Sequence, residues 1–166
     1  ARAEPDMVVM GWGEGQLWDA ARAERPIDQL TGNLPCDFLV VNPRDLDPSR
    51  ILVPTKGGPD SDVAASVATA LRDATGSDVS LLHVVSDESE RKAGEAFIRE
   101  WAADHDLADA DHRVAVGNVE DEIVAAASDR TLVLLGATER GVLSRLVRDT
   151  LHMDVHERVE ASVGLA

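Results

Sequence analysis

The stretch Thr131–Thr150 constrains the fold of this chain more than any other part of its sequence. Residues Thr131 to Leu135 form a run typical of a strand that is buried on both faces of a parallel sheet. Gly136 ends the strand, and apolar residues at helical spacing follow between Leu143 and Val147. A strand, a glycine turn and a helix N-terminus form a common phosphate-binding arrangement at the carboxyl edge of a sheet. The stretch therefore predicts an α/β fold and a candidate anion site.

From Arg50 onward, strand and helix patterns alternate regularly along the chain. Strands are predicted at 51–53, 79–85, 113–116, 131–135 and 161–166, and helices between them at 60–74, 88–105, 119–127 and after 140. Asp60 or Ser61 is predicted to cap the first of these helices, in which Val63, Val67, Ala70 and Leu71 lie at helical spacing. Alternation of this kind indicates a parallel sheet with right-handed crossovers and helices on both faces.

The beginning of the chain resembles its end. When each residue is set beside the residue 125 positions later, 1–41 aligns with 126–166 without a gap, and Gly11 aligns with Gly136. Identities are few, so the shared order of apolar run, glycine, helical segment and apolar strand carries the comparison. We interpret 1–41 as the carboxyl half of a first repeat, 42–49 as a linker and 50–166 as a complete second repeat. The chain would then be a fragment of a tandem protein; an unrelated strand–helix–strand extension is the alternative.

Charge narrows the classes of partner. The chain of 166 residues has 31 acidic against 16 basic residues and a formal net charge of −15, which argues against nucleic acid as a partner. Lys56 and Lys92 are its two lysines, and such an acidic, lysine-poor composition is typical of proteins from halophiles, in which salt screens the repulsion between acidic groups. A merely acidic mesophilic protein is the alternative. Without a signal peptide or a membrane-spanning run, we expect a cytoplasmic protein.

Candidate catalytic and metal-binding groups are sparse in the sequence. Cys36 is the single cysteine, and no Ser or Cys nucleophile is accompanied by a base at a recognisable spacing. His152 and His156 are spaced as neighbours on one helical face, but a zinc site needs a third or fourth ligand. We therefore expect neither an enzyme nor a metal site.

Three strand segments in the right order resemble the universal stress protein family. They are Ile51-Leu52-Val53-Pro54-Thr55, Leu81-Leu82-His83-Val84-Val85 and Leu132-Val133-Leu134-Leu135-Gly136. The resemblance implies a Rossmann-like, open five-stranded parallel sheet, here preceded by an N-terminal strand–helix–strand half-repeat. It also implies a homodimer, or a tandem pseudo-dimer, formed through the last strands Phe38–Val41 and Val163–Ala166.

The resemblance implies a nucleotide site, but this sequence departs from the family's glycine pattern. If Gly136 is the family's first glycine, Glu139 takes the place of the second, and Asp149-Thr150 takes the place of the closing Gly-Ser or Gly-Thr pair. Lys56 stands where the family usually has an aspartate after the first strand. A carboxylate close to a phosphate costs about 1 kcal/mol in water and more in a drier site.

The ligand that the resemblance implies is ATP or AMP with Mg²⁺, and backbone groups of Val84 and Val85 would meet the adenine. The candidate ligand-binding residues are Thr55, Lys56, Val84, Val85, Gly136, Thr138, Glu139, Arg140, Asp149 and Thr150.

The leading hypothesis is a non-catalytic regulatory or interaction module with a degenerate adenine-nucleotide site. The acidic tandem organisation and the segment from Gly136 to Gly141 also resemble the cytoplasmic tails of halophilic amino-acid transporters, which implies a location at the cytoplasmic face of the membrane and a transporter in the same protein. The alternatives are a functional ATP or AMP switch with slow hydrolysis, for which Lys56, Arg140 and Thr150 would compensate the lost glycines, and a purely structural dimerisation element.

Overall fold

The computed structural model describes residues 7–11, 36–41, 46–136 and 162–165. Within these ranges the chain forms seven strands, three α-helices and one 3₁₀ helix. In chain order they are β1 (Met7–Gly11), β2 (Asp37–Val41), β3 (Arg50–Pro54), α1 (Pro59–Thr75), β4 (Asp78–Val85), the 3₁₀ helix (Glu88–Glu90), α2 (Arg91–Asp104), β5 (Asp111–Val116), α3 (Val119–Ala127), β6 (Leu132–Leu135) and β7 (Ser162–Leu165).

The described strands form one sheet in the order β1-β2-β7-β6-β3-β4-β5. The five strands from β7 to β5 are parallel to one another, which confirms the predicted open five-stranded sheet. β1 and β2 are also parallel to each other, and the one antiparallel junction in the described sheet lies between β2 and β7. The predicted helices around 16–24 and 141–148 lie outside the described residues.

The sheet is apolar on both faces at its centre. Ile51 and Val53 belong to the main core on the face covered by α1 and α2, together with Leu81 and Leu134. Leu52 faces the other way and, with Ala125 and Ala126 of α3, lines a groove of about 250 Å³. Burial on both faces explains why β3 and β6 are continuous apolar runs rather than alternating ones.

α1 begins earlier than the sequence pattern predicts. Its N-cap is Gly58, with φ 88° and ψ 170°, and Pro59 opens the helix. Proline suits the first helical position because its φ is fixed and it has no N–H to leave unpaired. The predicted caps Asp60 and Ser61 consequently lie inside the first turn. At the other end Gly76 adopts the left-handed conformation, with φ 73°, and its N–H donates to the Arg72 carbonyl at 2.8 Å.

The buried face of α1 agrees with the predicted one in part. Val67 is buried, and Val63 and Leu71 are half-buried and pack against the core, whereas Ala70 is exposed. Ala64, Ala65 and Ala68, which the predicted set does not include, are completely buried against the sheet. Small residues on this face allow the helix backbone to approach the central strands closely, an arrangement that a search for large apolar residues overlooks.

The third helix shows how local sequence positions an element. α3 spans Val119–Ala127, as predicted, and Asn118 caps it by accepting hydrogen bonds from the backbone N–H groups of Glu120 at 3.0 Å and Asp121 at 3.2 Å. An asparagine at this position is among the strongest N-terminal signals for a helix. Ile123 and Ala127 then pack on the sheet.

Candidate nucleotide site

The predicted ligand-binding residues that the structure describes meet at one edge of the sheet. β6, β3 and β4 are adjacent and parallel, so Gly136, Thr55 and Val85 lie at the carboxyl ends of three neighbouring strands. In open parallel sheets, this is the edge at which ligands bind. Thr138, Glu139, Arg140, Asp149 and Thr150 lie outside the described residues.

Thr55 forms the base of the loop after β3. Its side chain and backbone are 6% exposed, and its N–H donates to the Leu82 carbonyl at 2.8 Å. The Thr55 hydroxyl accepts a hydrogen bond from the Gly57 N–H at 3.1 Å, and its carbonyl accepts one from Nδ1 of His83 at 2.9 Å. Thr55 therefore uses its polar groups to fix the local backbone.

The loop that follows Thr55 depends on two glycines. Gly57 and Gly58 have φ values of 82° and 88°, a region that residues with a side chain rarely adopt. They turn the chain away from β3 and into α1, while Lys56 between Thr55 and Gly57 is exposed at the edge. The loop thus presents a lysine, where the resemblance expects an aspartate, beside the N-terminus of α1.

Gly136 is buried, and its packing gives a structural reason for glycine at this position. A Cβ added to Gly136 would lie 3.0 Å from Cβ of Asp60 and 3.2 Å from the Asp60 carbonyl carbon. Asp60 belongs to the first turn of α1, so the end of β6 touches the backbone of that helix. A side chain at this position would therefore crowd the first turn of α1, whether or not a phosphate binds.

Acidic groups gather at this edge. Asp60 lies in the first turn of α1, where its carboxylate suits the helix dipole but repels an anion. Asp62 in the same turn has protein partners: its Oδ1 accepts a hydrogen bond from Nε1 of Trp101 at 3.2 Å and lies 3.1 Å from Nε2 of His105. Beyond β4, hydrogen bonds from the Ser89 side chain and backbone hold the pKa of the Asp87 carboxyl below its usual value, so it stays ionised well into the acidic range.

The basic group beyond β4 already has protein partners. Arg91 donates through Nη2 to the Glu88 carboxylate at 3.0 Å and through Nη1 to the Val114 carbonyl at 3.0 Å. The hydrogen bond from Arg91 lowers the pKa of Glu88, which therefore stays ionised, and the same pair raises the pKa of Arg91. Arg91 thus serves the internal structure of this edge.

The two valines expected at the adenine are half-buried at the end of β4. The carbonyl of Val85 accepts a hydrogen bond from the Gly117 N–H at 3.0 Å, and the next N–H, that of Ser86, donates to the Glu90 carboxylate at 3.1 Å. The backbone of Val85 and Ser86 is consequently tied to neighbouring loops.

Metal binding and membrane insertion are the remaining properties to consider for the described residues. Among them, no group of three or more His, Cys, Asp or Glu side chains is placed to hold a metal ion. None of the described helices is long and apolar enough to cross a membrane.

The comparison with family models decides which family this fold represents. The model of the universal stress protein family matches residues 48–159, which is more than half of the chain. The chain belongs to the universal stress protein family. The predicted family and the predicted α/β fold with a parallel sheet are thereby confirmed, and the matched residues include the candidate site from Thr55 to Thr150.

The chain is also similar to a solved structure. A protein of the universal stress protein family from Burkholderia pseudomallei superposes with a TM-score of 0.49 at 20% identity, covering 64% of this chain and 92% of that one. No curated protein matches the chain.

Sequence reasoning missed the role of Asp60 in this universal stress protein domain. It treated Asp60 as a helix cap, whereas the structure places its backbone against Gly136. The available signal was the segment Gly57-Gly58-Pro59-Asp60, in which the proline marks the first helical residue and puts the aspartate one position into the helix.

The Gly136–Asp60 contact can be tested without any ligand. We expect Gly136→Ala to lower the free energy of unfolding by about 1–3 kcal/mol, because the new methyl group overpacks the contact. Urea denaturation of Gly136→Ala, Asp60→Gly and the double variant gives the coupling between the two sites. We expect Asp60→Gly to recover part of the loss; strictly additive effects would contradict the packing role of Gly136.

Proposed function

We propose that this universal stress protein domain is a non-catalytic regulatory or interaction module whose adenine-nucleotide site is degenerate. The observation that carries the proposal is the contact between Gly136 and Asp60. The one glycine of the family pattern that the chain retains at this edge has a packing function of its own, so its presence needs no nucleotide to explain it.

Electrostatics supports the same proposal. The first turn of α1 carries Asp60, and the segment after β4 carries Asp87, whose pKa is lowered by its hydrogen bonds with Ser89. A triphosphate that approached this edge would meet these carboxylates on two sides. Lys56 is the basic residue on the loop between them, and each additional carboxylate within about 4 Å of a phosphate opposes binding by about 1 kcal/mol in water.

The module would act through contacts between units. The antiparallel pairing of β2 with β7 joins the parallel pair β1–β2 to the five-stranded sheet. This junction supports the proposal of a tandem pseudo-dimer through the last strands. A regulatory role would then depend on the two units that this junction joins.

We further propose that the chain acts in the cytoplasm as part of a larger protein, with an amino-acid transporter as the candidate. Two sequence features support this proposal, the acidic tandem organisation and the segment that begins at Gly136. Both resemble the cytoplasmic tails of halophilic amino-acid transporters.

Nucleotide titration tests the degenerate site. In molar KCl, which screens the net charge of −15, we expect no binding heat and no thermal shift from millimolar ATP with Mg²⁺. The matched variant Glu139→Gly/Asp149→Gly restores the family's glycines and is expected to bind.

A dissociation constant below about 1 mM for the unmodified chain, equivalent to about −4 kcal/mol, would favour the ATP switch and overturn the proposal. If neither protein binds ATP, the loss of binding does not come from Glu139 and Asp149.

Cell fractionation tests the proposed location. An antibody against this chain should detect the native gene product in the membrane fraction, and the signal should remain there after a high-salt wash that strips peripheral proteins. Recovery of all the antigen in the supernatant would contradict the transporter context but would leave the degenerate site untouched.

A further inference from the structure

The strand pairs β1–β2 and β6–β7 share one register. Met7 pairs with Asp37, and Leu132 pairs with Ser162, so in both pairs the partner lies 30 residues further along the chain. The two parallel pairs are therefore built alike, residue for residue, at a separation of 125 positions. This agreement concerns backbone pairing and is independent of the few sequence identities between the two segments.

The junction between the two pairs has the geometry of a local two-fold axis. Val40 pairs antiparallel with Leu165, which is the residue 125 positions after it, and Val41 pairs with Gly164. Two like strands that pair antiparallel through equivalent residues form an isologous contact, the kind that a two-fold axis produces. The Val40–Leu165 pair thus marks the axis that relates β1–β2 to β6–β7.

The axis relates two different environments. On the far side of β6 from β7, β3 pairs in parallel, with Ile51 opposite Leu132 and Leu52 opposite Val133. In the described sheet, β1 is the edge strand, and its side away from β2 has no strand. By the two-fold relation, that side of β1 corresponds to the side of β6 that holds β3.

The residues of β1 are more exposed to solvent than their counterparts on β6. Val9 is 65% exposed, whereas its counterpart Leu134 is 1% exposed and belongs to the core beneath α1. Met7 and Val8 are half-buried, although their counterparts on β6 are almost completely buried. An apolar strand at the edge of a sheet is a template for another strand.

We infer that β1 is the acceptor for a strand–helix unit of the same kind as β3–α1. The strand of that unit would run parallel to β1 and place two apolar residues opposite Met7 and Val8, as Ile51 and Leu52 lie opposite β6. The helix that follows would cover Val9 with a face of small residues, as α1 covers Leu134. The partner is therefore an apolar strand followed by a helix with an alanine-rich face.

The parallel direction distinguishes this partner from a second copy of the chain. Two β1 edges that met across a new two-fold axis would pair antiparallel, and neither copy would bring a helix over Val9. The local two-fold axis instead maps β3 onto a parallel strand. The strand registers and the exposure of β1 do not depend on whether the domain binds a nucleotide.

A tandem fusion tests the acceptor directly. Because Ala1 is the counterpart of Ala126, a second copy of residues 50–125 can be joined directly before Ala1 without a linker. Successive residues of a strand direct their N–H groups to opposite neighbours, so one of Val8 and Val9 has its N–H on the side away from β2. We expect that amide to exchange at least about 100-fold more slowly in the fusion than in the original chain. Val9→Lys should leave the stability of the original chain nearly unchanged and destabilise the fusion.

The matched control carries Ile51→Asp in the added copy only, which should disrupt the donated strand and return Val8 and Val9 to their original exchange rates. Protected amides throughout the added copy, with unchanged exchange at Val8 and Val9, would overturn the proposal. So would an added copy that shows no protection at all, because the acceptor would then fail to hold the unit assigned to it.

Thiol reactivity in the unfused chain tests whether another surface already covers β1. In a Cys36→Ser background, Val9→Cys should react with a thiol reagent at nearly the rate of a free thiol. A protected thiol, or a disulfide between two Val9→Cys chains that forms readily, would show that another surface already covers β1 and would overturn the proposal.

Discussion

The arrangement of this molecule depends on the pairing of β6 with strands on both of its sides. Its four residues, Leu132 to Leu135, are at most 1% exposed, and each side chain of this kind contributes about 1.5–3 kcal/mol when buried. β6 pairs with β3 on one side and with β7 on the other. In the described sheet, the path from the strands β3, β4 and β5 to β1 and β2 runs through β6 and β7.

Much of this arrangement can be read from the sequence because buried parallel strands have few alternatives. An apolar run such as Leu132–Leu135, closed by Gly136, fits the middle of a parallel sheet and little else. α3 can also be predicted from the sequence, because Asn118 is a local N-cap signal that does not depend on tertiary contacts.

Features that depend on tertiary contact were less predictable. The buried face of α1 includes Ala64, Ala65 and Ala68 beside Val67, and small residues carry little periodic signal. The contact of Gly136 with Asp60 joins residues far apart in the sequence, and the glycine alone gives no indication of its partner. The start of α1 at Pro59 was missed for a different reason, because Asp60 and Ser61 are also good caps in isolation.

Glycine at the carboxyl edge of a parallel sheet therefore has two physical meanings. It can admit a phosphate to the backbone, or it can admit another backbone segment, and at Gly136 the structure shows the second. Thr55 is similar, because its hydroxyl and carbonyl serve the loop and His83. Packing and loop geometry therefore account for Gly136 and Thr55 without a ligand.

Native-state hydrogen exchange can show whether β2 and β7 join the strands into one cooperative sheet with β6 at its core. In a cooperative sheet, the amides of Val40 and Val41 open with a free energy within about 1 kcal/mol of that for Leu81 and Leu82. Exchange of β1 and β2 through a separate opening of much lower free energy, while β3, β4 and β6 stay protected, would contradict it.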